Sequence, residues 1–169
     1  MMNWLRTNVY ASYLLLFLRL YIGYQWVTVA IGKITGGFDA TGYLANIVAN
    51  PVMGADGPIY PAYNYFIEHF ALPNAELFNV LVPWGELLIG LGLLLGTLTT
   101  TAAFFGLFMN FMFFLGGTVS TNPTFILIQF IILVAGANAG RIGGDRWVLP
   151  WLRANVFKKK ARNNIEKSA

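Results

Sequence analysis

Four apolar stretches constrain this chain more than any other feature: about Ala11–Lys33, Glu76–Gly96, Thr99–Gly117 and Pro123–Ala139. Each is close to the ~20 residues that a helix needs to cross a ~30 Å hydrocarbon layer. Backbone amides cannot stay unpaired in lipid, and the stretches lack the two-residue alternation of barrel strands, so they are expected as helices. Charged residues make up only 11% of the chain, less than half the ~25% of a soluble domain. That composition excludes disorder, a nucleic-acid-binding domain and an ordinary soluble enzyme. The first stretch is too long for a signal-peptide core, carries Arg19 and Gln25, and has no A-x-A site after it. It is read as an uncleaved span.

The joints between stretches set the topology. Thr97–Leu98–Thr99–Thr100 is long enough only for an antiparallel hairpin. Between the third and fourth stretches, Asn122 suits a helix cap and Pro123 a first helical turn. The expected fold is an all-α membrane protein, an antiparallel four-helix transmembrane bundle in one domain spanning residues 1–152. Cations orient it. Arg6 lies before the first stretch and Arg141, Arg146, Arg153, Lys158, Lys159, Lys160, Arg162 and Lys167 follow the fourth, whereas residues 34–75 contain no Lys or Arg. The positive-inside bias puts both termini in the cytoplasm, with residues 153–169 as a basic tail in a multi-pass cell-membrane protein.

Residues 34–75 form a long outer segment punctuated by glycines and prolines. Leu44, Ile47 and Val48 suggest a short amphipathic helix after Asp39, and Tyr63, Phe66, Ile67 and Phe70 share one helical face. Helices this aromatic lie at membrane interfaces, as a cap on the bundle or a lid over a ligand.

An ionisable group at bilayer depth costs at least ~2.5–3.5 kcal/mol on insertion scales, so each needs a partner or a task. Arg19 and Glu86 are the two inside the stretches, at depths similar enough for an Arg19–Glu86 pair, either functional or purely structural. Gln25, Asn110 and Gln129 are neutral polar groups at comparable depth; interhelical hydrogen bonds are their simplest use. Pro83, Trp84, Glu86 and Gly90 suggest one wall of a small pocket, with a kink at Pro83 and space beside Gly90. Arg19, Trp26 and Lys33 recur every seven residues and so share a face of the first span, where Trp26 offers a stacking surface. Gly92-x-x-x-Gly96 reads as close helix packing.

The chain has no cysteine and one histidine, His69. Disulfides, iron–sulfur ligation, bis-histidine haem and a histidine-rich metal site are thereby excluded for this chain alone. No Walker motif, nucleophile elbow or zincin motif occurs.

The segments LRLYIGYQWVTVAIGKI, PWGELLIGLGLLLGTLTTTAAFFGLFMNFMFF and AGANAGRIGGDRWVLPWL resemble the DoxX/DoxD family of bacterial and archaeal membrane proteins. The resemblance covers nearly all of residues 11–152, and the aromatic outer segment looks more like the DoxD branch, the membrane subunit of thiosulfate:quinone oxidoreductase. It implies a quinone-interacting oxidoreductase subunit that passes electrons from a small sulfur-containing donor to quinone. Arg19, Lys33, Glu86 and Asp145 match the family's recurring charged positions. In that reading Glu86 handles the quinone proton and Arg19 holds its charge. Trp26 or Trp84 stacks on the ring, with Lys33, Asn110 and Gln25 also near the cofactor. Without cysteine or haem ligands, quinone would have to meet the donor directly or through a partner subunit or a homo-oligomer. The competing reading is a non-enzymatic membrane scaffold or small-solute carrier whose basic tail recruits a cytosolic partner or anionic lipid.

Overall fold

The computed structural model describes residues 2–157. A short helix α1 (Met2–Thr7) leads into α2 (Val9–Gly36), which starts at an Asn8 cap whose side chain accepts from the Tyr10 and Ala11 amides and stops at Gly37 in the left-handed region. Helix α3 (Ala40–Ala49), a two-residue hairpin of β1 (Met53–Gly54) and β2 (Gly57–Pro58), and α4 (Pro61–Phe66) with a π-helical turn Ile67–Ala71 make up the outer segment. Then come α5 (Ala75–Leu95), α6 (Thr99–Leu115), α7 (Asn122–Ala135) with a 3-10 turn Gly136–Gly140, and α8 (Asp145–Leu152). A π-helical turn Arg153–Phe157 continues α8; the remaining tail residues, including Lys158, Lys159, Lys160, Arg162 and Lys167, lie outside the described residues.

Among the described residues three helical segments, Val9–Gly36, Ala75–Leu95 and Asn122–Gly140, are long and apolar enough to cross a membrane. The helix at the third apolar stretch, α6, is apolar but spans only 17 residues. The polarity of the bundle is inverted relative to a soluble domain. Tyr10, Phe17, Leu88, Leu95, Phe104, Phe105, Leu127 and Phe130 are exposed on the outside, while Arg19, Glu86, Asn110, Gln129 and Asp145 are buried. Such a surface is stable only against hydrocarbon.

Two apolar clusters form the interior. One joins Leu15, Ile22 and Trp26 of α2 to Ile89 and Leu93 of α5, Ala103 of α6 and Phe125 and Ile132 of α7. The other joins Ala40, Leu44 and Ile47 of α3 to Ile67, Ala71 and Ala75, which docks the outer segment onto one end of the bundle as a cap. Asp39 caps α3 by accepting from the Thr41 amide at 2.9 Å, and that hydrogen bond holds its carboxyl below the usual carboxylate range.

Three local expectations change. Asn122 does not cap α7: it is the first residue of the helix, and its amide turns back to donate to the Thr118 carbonyl at 2.7 Å, closing the preceding loop. The buried face of the second outer helix is Ile67 and Ala71 with half-buried Tyr63, because the π turn rotates Phe70 outward, where it stacks on Phe66 at 5.4 Å. In α5, which contains the buried Pro83, the space expected beside Gly90 is filled by Val27 and the Gly23 carbonyl of α2.

Candidate functional site

Helix α2 carries both charge centres of the bundle on one face. Arg19, Trp26 and Lys33 all turn inward, as their seven-residue spacing requires. The helix meets α5 at Gly23, which lies against Gly90 and Leu94; a Cβ on Gly90 would stand 2.8 Å from the Val27 amide nitrogen, so only glycine permits this approach. That contact sets the offset between the two helices. Arg19, one turn before Gly23, reaches Gly96, and Lys33, ten residues after Gly23, comes level with Glu86. About 21 Å of helix separates Arg19 from Lys33 at 1.5 Å per residue. The expected Arg19–Glu86 pair is therefore replaced by Lys33–Glu86.

Lys33 Nζ donates to Glu86 Oε1 at 2.5 Å; the Glu86 side chain is 1% exposed and that of Lys33 is 24%. Glu86 Oε2 has no hydrogen-bond partner among the described residues. Lys33 sits near the C-terminal end of α2, where its four-carbon stem can follow the helix surface to the carboxylate. The ammonium also lies 5.0 Å from the Phe38 ring centroid and 5.3 Å from that of Phe113, which gives it two aromatic faces in addition to the carboxylate.

Those same two rings line a cavity of about 170 Å³ between the cap and the bundle. Tyr43 and Tyr63 of the cap, Phe78 and Val82 of α5, and Met109 and Met112 of α6 complete most of its wall. Its two phenols are already committed: Tyr63 donates to the Met112 carbonyl at 2.7 Å, and the hydroxyls of Tyr43 and Thr118 share a hydrogen bond of 3.2 Å. Burial pushes both phenols above their ordinary pKa, so they remain neutral hydroxyls. The resulting chamber is apolar, aromatic and flanked by one ion pair.

The opposite end of α2 is organised around Arg19 and Asp145. Arg19 Nη1 donates to the Ala139 carbonyl at 3.0 Å and Nη2 to the Ile142 carbonyl at 2.8 Å, both in the stretch after α7. Asp145 accepts from the Leu98 amide at 2.6 Å and the Thr99 amide at 3.0 Å, capping α6 from 46 residues away in sequence. The Gly144 and Asp145 amides in turn donate to the Leu95 and Gly96 carbonyls. This end is a staple that ties α2, the α5–α6 turn and the segment after α7 together. Asp145→Ala removes both acceptors from the start of α6 and is expected to destabilise the protein by about 2 kcal/mol. Asp145→Asn, which keeps one acceptor, is expected to cost clearly less; equal unfolding midpoints for Asp145→Ala and wild type in detergent would refute the capping role.

The other sequence-derived candidates lie between these ends or outside them. Asn110 donates to Gln129 Oε1 at 2.6 Å, so its amide serves helix packing. Trp26 packs obliquely against Phe125 at 6.2 Å in the core and offers no open face. Gln25 is half-buried and makes no hydrogen bond among the described residues. Trp84 is 52% exposed on the outer surface, away from Glu86, because residues two apart on a helix point in different directions. Among the described residues no group of three or more His, Asp or Glu side chains could hold a metal ion. Phe38, Tyr43 and Phe113 were not singled out by the sequence; the aromatic density around residues 38–70 is the signal that could have found the first two.

The DoxX family profile matches residues 14–119, well over half the chain, and takes in Arg19, Lys33 and Glu86. The chain belongs to the DoxX family. No curated protein and no solved structure matches it. The DoxX match thus covers the cap, the cavity and the Lys33–Glu86 pair, whereas Asp145 lies beyond its end.

Proposed function

We propose that this DoxX protein is a four-span antiparallel bundle with both termini cytoplasmic, which binds a quinone beneath its outer cap as part of an oxidoreductase. The observation that carries this reading is the aromatic chamber beside Lys33–Glu86, with Glu86 Oε2 unpartnered. The chamber suits a flat apolar ring, and the ion pair supplies what a quinone carbonyl needs: a donor at Lys33 Nζ and a carboxylate at Glu86. Reduction of a bound quinone takes up two electrons and two protons. Lys33 would hold the carbonyl oxygen by a hydrogen bond, Glu86 would pass on the two protons one after the other, taking up the second from outside the chamber, and the phenylalanines would shield the ring. Arg19, Trp26 and Trp84, nominated by the sequence for these tasks, leave them to Lys33, Phe38 and Phe113. The electron donor in this reading is thiosulfate or a similar small sulfur anion, as in the DoxD branch.

A structural ion pair in a scaffold or small-solute carrier is the second reading. The observation that favours it is the chamber's size, about 170 Å³, below the ~300 Å³ of most ligand sites. The two readings separate on purified protein given thiosulfate and a decyl-quinone. Quinone reduction that falls about 100-fold in Glu86→Gln supports the first. No reduction above the Glu86→Gln background, with no saturable quinone binding, favours the second.

A further inference from the structure

A second, larger cleft of about 680 Å³ opens at the opposite end of the bundle, between α1, the start of α2, the 3-10 turn and α8. Four arginines line it: Arg6, Arg141, Arg146 and Arg153. Its one acidic residue, Asp145, is buried with both carboxylate oxygens engaged by the Leu98 and Thr99 amides. Four arginines therefore share the cleft with no carboxylate left to answer them among the lining residues. Arg6 spends only Nε, on the Val134 carbonyl at 2.9 Å, and Arg141 makes one contact of 3.4 Å to the Thr7 carbonyl. Arg146 and Arg153 make no side-chain hydrogen bond among the described residues. Assembling four like charges is unfavourable unless an anion joins them.

The setting of α8 identifies the kind of anion. Arg146, Leu149, Pro150 and Arg153 follow at i, i+3, i+4 and i+7 and all line the cleft. Trp147 and Trp151, on the adjoining face, are 70% and 61% exposed, and Tyr10 and Tyr13 at the start of α2 are exposed too, of which Tyr13 lines the cleft. Indole and phenol side chains gather where hydrocarbon meets headgroups, so this end of the fold lies at headgroup depth. Arginine forks match phosphate oxygens in geometry and charge. We propose that the arginine cleft binds the phosphate headgroup of an anionic phospholipid, with Leu149 and Pro150 against the glycerol and the start of the acyl chains. The proposal is independent of quinone binding and of which side of the membrane this end faces.

Titrating phosphatidylglycerol and phosphatidylcholine into the detergent-purified full chain, with bound lipid counted by native mass spectrometry, tests the assignment. Wild type should retain phosphatidylglycerol in clear preference. Arg146→Gln/Arg153→Gln should weaken phosphatidylglycerol binding about 30-fold, about fivefold per cation, and leave phosphatidylcholine unchanged. Both arginines are exposed, so this variant should fold; Arg146→Lys/Arg153→Lys, which keeps the charge, should recover part of the preference. Equal retention of the two lipids by wild type overturns the proposal, as does a preference that survives in the double glutamine variant. Displacement of phosphatidylglycerol by millimolar inorganic phosphate would assign the cleft to a soluble anion and overturn the lipid assignment.

Discussion

Lys33→Met is expected to lower the stability of the bundle by about 3 kcal/mol, and adding Glu86→Leu is expected to return most of that loss. The single substitution leaves a carboxylate that is 1% exposed, beside an apolar chamber, with no ion-pair partner among the described residues. Phe38 and Phe113, the rings that flank the Lys33 ammonium, carry no charge, and the nearby phenols of Tyr43 and Tyr63 are already bonded to Thr118 and Met112. Removing both charges removes the penalty as well as the pair, which is why the double variant should outperform the single. The double-mutant cycle, followed by denaturant unfolding in mixed micelles, gives the coupling energy directly. A coupling below about 0.5 kcal/mol would mean that the two side chains are solvated independently and that the chamber is wet. The same two variants, carried into the quinone assay, separate a stabilising pair from a working one. A stable double variant without quinone reduction is the outcome that assigns the pair a chemical task.

Arg19→Met is expected to cost about 3 kcal/mol, and Arg19→Lys to recover less than half of it. The guanidinium satisfies two carbonyls from one planar group, those of Ala139 and Ile142, and a single ammonium cannot reproduce that fork. Methionine removes the desolvation cost of the cation but leaves both carbonyls without their donor. Gly96→Ala attacks the same centre from the other side. Gly96 closes α5 in the left-handed region at φ +64°, and a Cβ there would collide with the Arg19 guanidinium. It should therefore resemble Arg19→Met in unfolding midpoint. If Arg19→Met unfolds within about 1 kcal/mol of wild type, the staple contributes little and the bundle is held by its apolar cluster alone.

Much of this architecture was legible in the residue pattern because it depends on local periodicity. The seven-residue repeat of Arg19, Trp26 and Lys33 needs only 3.6 residues per turn to place all three on one face. That Asn110 and Gln129 serve interhelical hydrogen bonds was legible from their depth, although which group each would meet was not. The identity of Glu86's partner was not legible. Counting depth from the apparent ends of each stretch treats a side chain as sitting at its own Cα. Lysine reaches far beyond its Cα, and the offset between α2 and α5 is decided by the Gly23–Gly90 approach, a contact between residues far apart in sequence. The chamber escaped for a related reason. Its lining comes from the cap, α5 and α6 together, and no single helix shows it. Helix α8 was hidden by Pro150 within a segment too short to register as a periodic pattern.

Arg19 is separated from the Ala139 carbonyl by 120 residues. During synthesis the first helix enters the membrane long before the acceptors of its arginine exist. A cation at bilayer depth without such acceptors is costly, so the first helix depends on a segment at the far end of the chain. Both acceptors of the Arg19 guanidinium are therefore present only once the chain has been made as far as Ile142. A nascent chain stopped short of Ala139 carries all the apolar helices needed for insertion and none of the latch. Cellular quality control would meet it as an unlocked bundle with an unsatisfied arginine on display.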